Sequence, residues 1–293
     1  MKFAFKTSPQ NTTWADMLAV WQAADEIDVY ESGWTFDHFY PIFSDSTGPC
    51  LEGWVTLTAL AQATQRLRVG VLVTGIHYRH PAVLANMASA LDIVSGGRLE
   101  LGIGAGWNEE ESGAYGIELG SIKERFDRFE EACQVLVGLL GQETTTFDGR
   151  YYQLKDARNE PKGPQQPHPP ICIGGSGEKR TLKITARYAD HWNFVGGSPA
   201  EFARKVRAAV EKAGSIPGAA VALGVTRRTL DRWLTDAPAL IEGLDNMFAE
   251  SGNPLQVLVM RKGSTSELTS SVTRQAYQDI KFKPGIARSA KGE

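Results

Sequence analysis

Short apolar runs alternate with longer amphipathic ones along the chain. Lys2–Thr7 and Val29–Phe36 have strand character, and Leu67–Thr74 (LRVGVLVT) is almost continuously apolar, as expected of a strand covered on both faces. Leu99–Ile103, Ile171–Ile173, His191–Val195, Val221–Thr226 and Leu255–Met260 bring the β-type runs to eight. Between them the spacing predicts helices over Met17–Ala24, Trp54–Thr64, Pro81–Val94, Ile122–Leu140, Glu178–Ala189, Glu201–Ala213 and Ala239–Glu250. In the longest, Phe126, Phe129, Cys133, Leu136 and Leu140 recur three and four residues apart, which puts them on one face. Pro81 suits a first helical turn, and Thr12 or Thr13 could cap the first helix.

Asp148-Gly149, set between β-type runs in Thr144–Leu154, signals a hairpin. Lys162–Pro170 (KGPQQPHPP) reads as an extended connector. Serial βα units force a parallel sheet, and eight of them point to an α/β fold of the (β/α)8, TIM-like barrel type. Residues 1–262 are expected to form one barrel domain, with a hairpin and connector insertion at about 144–170. Residues 263–293 are expected to be a partly helical tail.

Composition narrows the function classes. The 293 residues carry 31 Lys+Arg and 34 Asp+Glu, a net charge of −3, which argues against bulk nucleic-acid binding. No apolar run approaches the ~18 residues of a membrane span, and the apolar start is too short for a signal peptide core. Cys50, Cys133 and Cys172 are scattered and odd in number, which fits a reducing cytoplasm rather than a disulfide framework.

A barrel carries its chemistry at the C-terminal ends of its strands. Gly174-Gly175-Ser176-Gly177 follows a strand and opens a helix, so it reads as a phosphate cradle or as a tight capped turn, with Lys179 and Arg180 adding charge. Gly102-Ile103-Gly104-Ala105-Gly106-Trp107 lacks the third glycine of a dinucleotide fingerprint; these glycines would instead let a flat ring approach the backbone, with Trp107 and Asn108 shaping the pocket. Asp37-His38 could be a carboxylate-held acid/base or a structural pair. His77 and His80 form an H-x-x-H without a third ligand, which favours loop structure over a metal. Glu109–Glu111 suit a helix start, with a ligand contact secondary. Cys50 has no visible activating partner. Ala219–Leu234 has a helix-turn-helix look, but the order of units favours a seventh barrel strand and no nucleic-acid partner.

Several longer stretches resemble the luciferase-like monooxygenase superfamily: FDHFYPIF (Phe36–Phe43), VTGIHYRHPAVLANM (Val73–Met87), LDIVSGGRLELGIGAGWNEEE (Leu91–Glu111), TFDGRYYQL (Thr146–Leu154) and HPPICIGGSGEKRTLKITARYADHWN (His168–Asn193). The chain looks most similar to the branch of deazaflavin (coenzyme F420)-dependent oxidoreductases. The resemblance runs from about Lys2 to Val195 and is weak after Gly214. It implies a barrel with an insertion between strands four and five, and a deazaflavin in the barrel mouth with its phosphate at Gly174–Gly177. Thr74, Gly75, Gly106, Trp107, Asn108, Gly174, Gly175, Ser176 and Gly177 are the implied cofactor contacts. Asp37 and His38 are the implied catalytic residues. A non-prolyl cis peptide after the third strand is implied at Thr74-Gly75 or Gly75-Ile76. Hydride transfer to or from a small organic substrate, with His38 moving a proton, is the expected reaction, and Trp107 and Trp192 would help line an apolar pocket. The alternative within the superfamily is an FMN-dependent monooxygenase that activates oxygen. A barrel that binds a ligand without catalysis is the reading from another class. Superfamily barrels commonly dimerise, so a homodimer is expected.

Overall fold

The structure is a computed structural model and describes residues 3–42, 44–195, 201, 204–205 and 256–260. The first half is β1 (Phe3–Lys6), α1 (Trp14–Asp25), β2 (Tyr30–Thr35), α2 (Gly53–Ala63), β3 (Arg68–Val71), β4 (Thr74–Gly75), α3 (Pro81–Val94) and β5 (Leu99–Gly104). Then come α4 (Glu109–Ala114), α5 (Ile122–Gly141), β6 (Thr145–Asp148), β7 (Gln153–Ala157), β8 (Ile171–Gly174), α6 (Thr181–Tyr188), β9 (His191–Val195) and β10 (Gln256–Met260). The main sheet runs β1-β2-β3-β5-β8-β9-β10, with β4 also on β5, while β6 and β7 form a separate antiparallel hairpin. This is an α/β fold with a curled parallel sheet.

Local chemistry sets the helix ends. Thr13 caps α1, accepting from the Asp16 amide. His80, with Pro81 behind it, caps α3. Ser121 and Glu124 close a capping box on α5. One sheet face packs on these helices: Val69, Val71, Leu99, Leu101, Ile103, Ile171 and Ile173 are buried against Leu57, Leu84, Phe129 and Leu136. Phe129 is fully buried, so Phe129→Ala is expected to cost about 3–5 kcal/mol, read as a lower urea midpoint with unchanged slope. The other face is polar and small. Gly70 lies under Trp34, and Glu100 pairs with Arg68 at 2.5 Å and His191 at 2.9 Å.

Three expectations are corrected. The apolar run Leu67–Thr74 is not one strand: β3 stops at Val71, and Thr74-Gly75 re-enters against β5. The non-prolyl cis peptide therefore falls at Leu72–Val73, not at Thr74-Gly75 or Gly75-Ile76. Strand Gln256–Met260, expected to be parallel, pairs antiparallel with β9. An apolar run marks a strand but carries no direction; that was inferred from the βα units before it. Among the described residues the sheet is open. The predicted strand Val221–Thr226, the helix Ala239–Glu250, most of the helix Glu201–Ala213, the helix-turn-helix segment and the tail lie outside the described residues.

Candidate active site

His38 follows β2, and its nearest carboxylate comes from a residue 73 positions away. Asn108 caps α4 by accepting from the Glu111 amide at 3.1 Å, which turns Glu111 inward while Glu109 and Glu110 stay exposed. One Glu111 oxygen accepts from His38 Nδ1 at 2.8 Å and from the Tyr78 hydroxyl. The other accepts from the Phe39 amide at 2.6 Å. Burial pushes the Glu111 pKa up, but the donors His38, Tyr78 and Phe39 outweigh it and hold the carboxyl below its ordinary range. Burial, then the hydrogen bond to Glu111, raises the Tyr78 phenol. An ionised Glu111 makes Nδ1 the protonated ring nitrogen of His38, so Nε2 presents a lone pair. The ring is nearly buried, with Trp107 edge-on at 5.8 Å between centroids.

The sequence pairing of Asp37 with His38 is corrected. Side chains adjacent along extended backbone diverge. The buried Asp37 takes a bidentate grip on Arg79, at 2.5 and 3.0 Å, and Glu52 adds a third oxygen at 3.7 Å. Tyr78 is not among the sequence candidates, and Glu111 is there only within Glu109–Glu111, as a helix start with a secondary ligand contact. The available signal was the Asn108-x-x-Glu111 spacing, which reads as a capping motif and so conceals a buried carboxylate.

The two histidines of the H-x-x-H separate. His80 Nδ1 accepts from the Ala82 amide at 3.1 Å. His77 Nε2 meets Ser112 Oγ at 3.2 Å; that hydroxyl donates to the Asn108 carbonyl, so the imidazole donates to it. Burial drops His77 to about 4, which keeps it neutral. No group of three metal-capable side chains occurs among the described residues.

The glycines at the ends of β5 and β8, and Gly106 beyond β5, leave room that neighbouring side chains enter. A Cβ on Gly104 or Gly174 would stand 2.9 or 2.8 Å from the Val73 side chain, and one on Gly106 (φ +81°) would strike His77. The missing Cβ atoms admit Val73 and His77. Thr74 is buried, and its hydroxyl accepts from Trp54 at 2.9 Å.

The Gly174–Gly177 loop is tightly held. Gly175 has φ +125°, its amide donates to Asn193 at 3.1 Å, and its carbonyl accepts from Trp192 at 2.7 Å. Trp192 is thus buried as a loop anchor. α6 starts at Thr181, later than expected, because the loop runs on through Arg180. Arg180 is engaged by Asp127 at 2.6 Å, and Lys205 donates to the Ser176 carbonyl at 2.7 Å while pairing with Glu178 at 3.5 Å and Glu201 at 3.8 Å. The Ser176 and Gly177 amides make no backbone hydrogen bond among the described residues. The Asn193 amide nitrogen, beside this loop, is buried without a partner.

The model of the luciferase-like monooxygenase family matches residues 1–230. An F420-dependent glucose-6-phosphate dehydrogenase of Microbacterium testaceum is 30% identical over 202 residues, 69% of this chain and 58% of that protein. The pyrimidine monooxygenase RutA of Cronobacter sakazakii is 33% identical over 180 residues, 58% of this chain and 52% of that protein. A solved F420-dependent secondary alcohol dehydrogenase, in complex with an F420-acetone adduct, superposes with a TM-score of 0.63 at 26% identity, covering 74% of this chain and 66% of that one. The chain spans about half the length of the curated relatives it matches. The matched family model covers most of the sequence, and the chain belongs to the luciferase-like monooxygenase family.

Proposed function

We propose that the chain is an F420-dependent oxidoreductase that moves a hydride between the deazaflavin and a small organic substrate, with His38 as the acid/base. The buried His38–Glu111 contact carries this reading, because it fixes which nitrogen faces a ligand. The F420-dependent relatives support the cofactor.

The residues fit such a group. The unpartnered Asn193 side-chain amide and the Ser176 and Gly177 backbone amides are donors gathered at one rim, and Lys205, itself paired with Glu178 and Glu201, holds the loop from behind. These residues, with Gly174, Gly175 and Gly177, would hold a phosphate. Val73, Thr74, Gly75, Gly106, Trp107 and Asn108 would shape the seat of the ring. When bound, the deazaflavin supplies a two-electron hydride carrier. His38 Nε2 takes the proton of a substrate hydroxyl, or returns it to a carbonyl in the opposite direction. Glu111 steadies the imidazolium that forms, and Tyr78 and the Phe39 amide hold Glu111. Asp37 positions the segment through Arg79. A TIM-like barrel belongs to this reading, supported by the likeness to the alcohol dehydrogenase.

The relationship to a pyrimidine monooxygenase keeps a second reading in play, a monooxygenase that uses FMN and oxygen. Fluorescence titration with F420 and with FMN separates them, and tighter F420 binding is expected. Gly175 has a backbone open essentially to glycine alone, so Gly175→Ala is expected to weaken F420 by about tenfold. Tight binding of FMN alone would overturn the assignment.

A further inference from the structure

Lys6 is the last residue of β1, at the strand end where a barrel keeps its chemistry. It pairs in register with Trp34, whose side chain covers Gly70 on the polar face of the sheet. Its ammonium lies 4.3 Å from the centroid of Phe36, and Phe36 is 6.2 Å, ring to ring, from His38. Burial lowers its pKa to about 8, so it remains largely charged at neutral pH. Among the described residues no carboxylate stands within ion-pair distance of it. The nearby acids are committed elsewhere: Asp37 to Arg79, and Glu111 to His38 and Tyr78. An aromatic face only partly replaces the water that a half-buried ammonium gives up.

We propose that Lys6 forms an anion subsite of the substrate pocket, so that the substrate is an alcohol or carbonyl compound bearing a carboxylate. The anionic group sits on Lys6 across Phe36, and the reacting oxygen sits at His38. Oxidation then removes the hydroxyl proton to His38 and the carbon-bound hydrogen, with its electron pair, as hydride. The hydride acceptor is the deazaflavin of the proposed function, on which this inference rests.

The test uses the full chain and straight-chain hydroxycarboxylates of increasing length, each against its uncharged hydroxyamide. Binding is first measured by calorimetry without cofactor. At least one acid is expected to bind more than tenfold tighter than its amide. Lys6→Met is expected to erase that preference, and Lys6→Arg to keep most of it. With F420 present, the same acid is expected to lead in kcat/KM, and Lys6→Met is expected to leave the F420 Kd unchanged. If no acid outbinds its amide, or if Lys6→Met weakens F420 instead, the subsite is wrong. If Lys6→Met is misfolded by circular dichroism, the wild-type acid and amide series with Lys6→Arg decides. Failure of the protein to bind F420 would sink the proposed function alone, since the cofactor-free series still reads the subsite.

Discussion

His38→Ala is expected to lower kcat by about 10²–10⁴-fold, the usual contribution of one positioned acid/base, while the F420 Kd stays roughly unchanged. The asymmetry follows from position. His38 Nδ1 is spent on Glu111, which leaves only Nε2 for the substrate, and the glycine loop that would hold the cofactor phosphate lies on β8 and α6 rather than beside β2. Alanine also removes one donor from a buried carboxylate, at a cost of about 1–3 kcal/mol, so thermal unfolding should accompany the kinetics. His38→Gln is the companion variant, because its amide can still donate toward Glu111 but cannot take a proton. Both variants should be inactive, and His38→Gln should be the more stable. Wild-type turnover in a folded His38→Gln protein would remove His38 from the chemistry.

Much of the scaffold was readable because local signals agree. Pro81 at the first turn marks where Pro81–Val94 begins, its apolar spacing carries it to Val94, and the helix has those limits. Asp148-Gly149 gave the hairpin its turn. His38 was reachable because residues just past a strand end are where a barrel places its site. The partners of His38 were not reachable. Adjacency favoured Asp37, whereas Glu111 arrives from another βα unit through a helix too short to advertise a buried face. The glycines are ambiguous for a related reason. Sequence shows that a Cβ is missing, not whether a ligand or a neighbour such as Val73 uses the room. The direction of β10 is likewise a long-range property.

Glu111→Gln tests the central contact from its other side. The ionised carboxylate accepts from His38, Tyr78 and the Phe39 amide at once. A glutamine has one acceptor oxygen and one donor nitrogen, so one of these donors must face an N–H. If that donor is His38, its proton moves to Nε2 and the lone pair turns away from the substrate. A loss of about 10²–10⁴-fold in kcat is expected, by analogy with the wrong-tautomer defect of serine proteases. Tyr78→Phe leaves the carboxylate and the tautomer in place and should cost much less. The pH dependence of stability is an independent check. Glu111 has a lowered pKa in the folded chain, so its stabilisation is present above the unfolded value of about 4.3 and is lost as pH falls through the lower folded value. Urea unfolding of the wild type and of Glu111→Gln between about pH 3 and 7 should therefore give a stability gap that is constant at the upper end and closes on acidification. A gap that stays open at the acid end would mean that the charge on Glu111 does not hold His38.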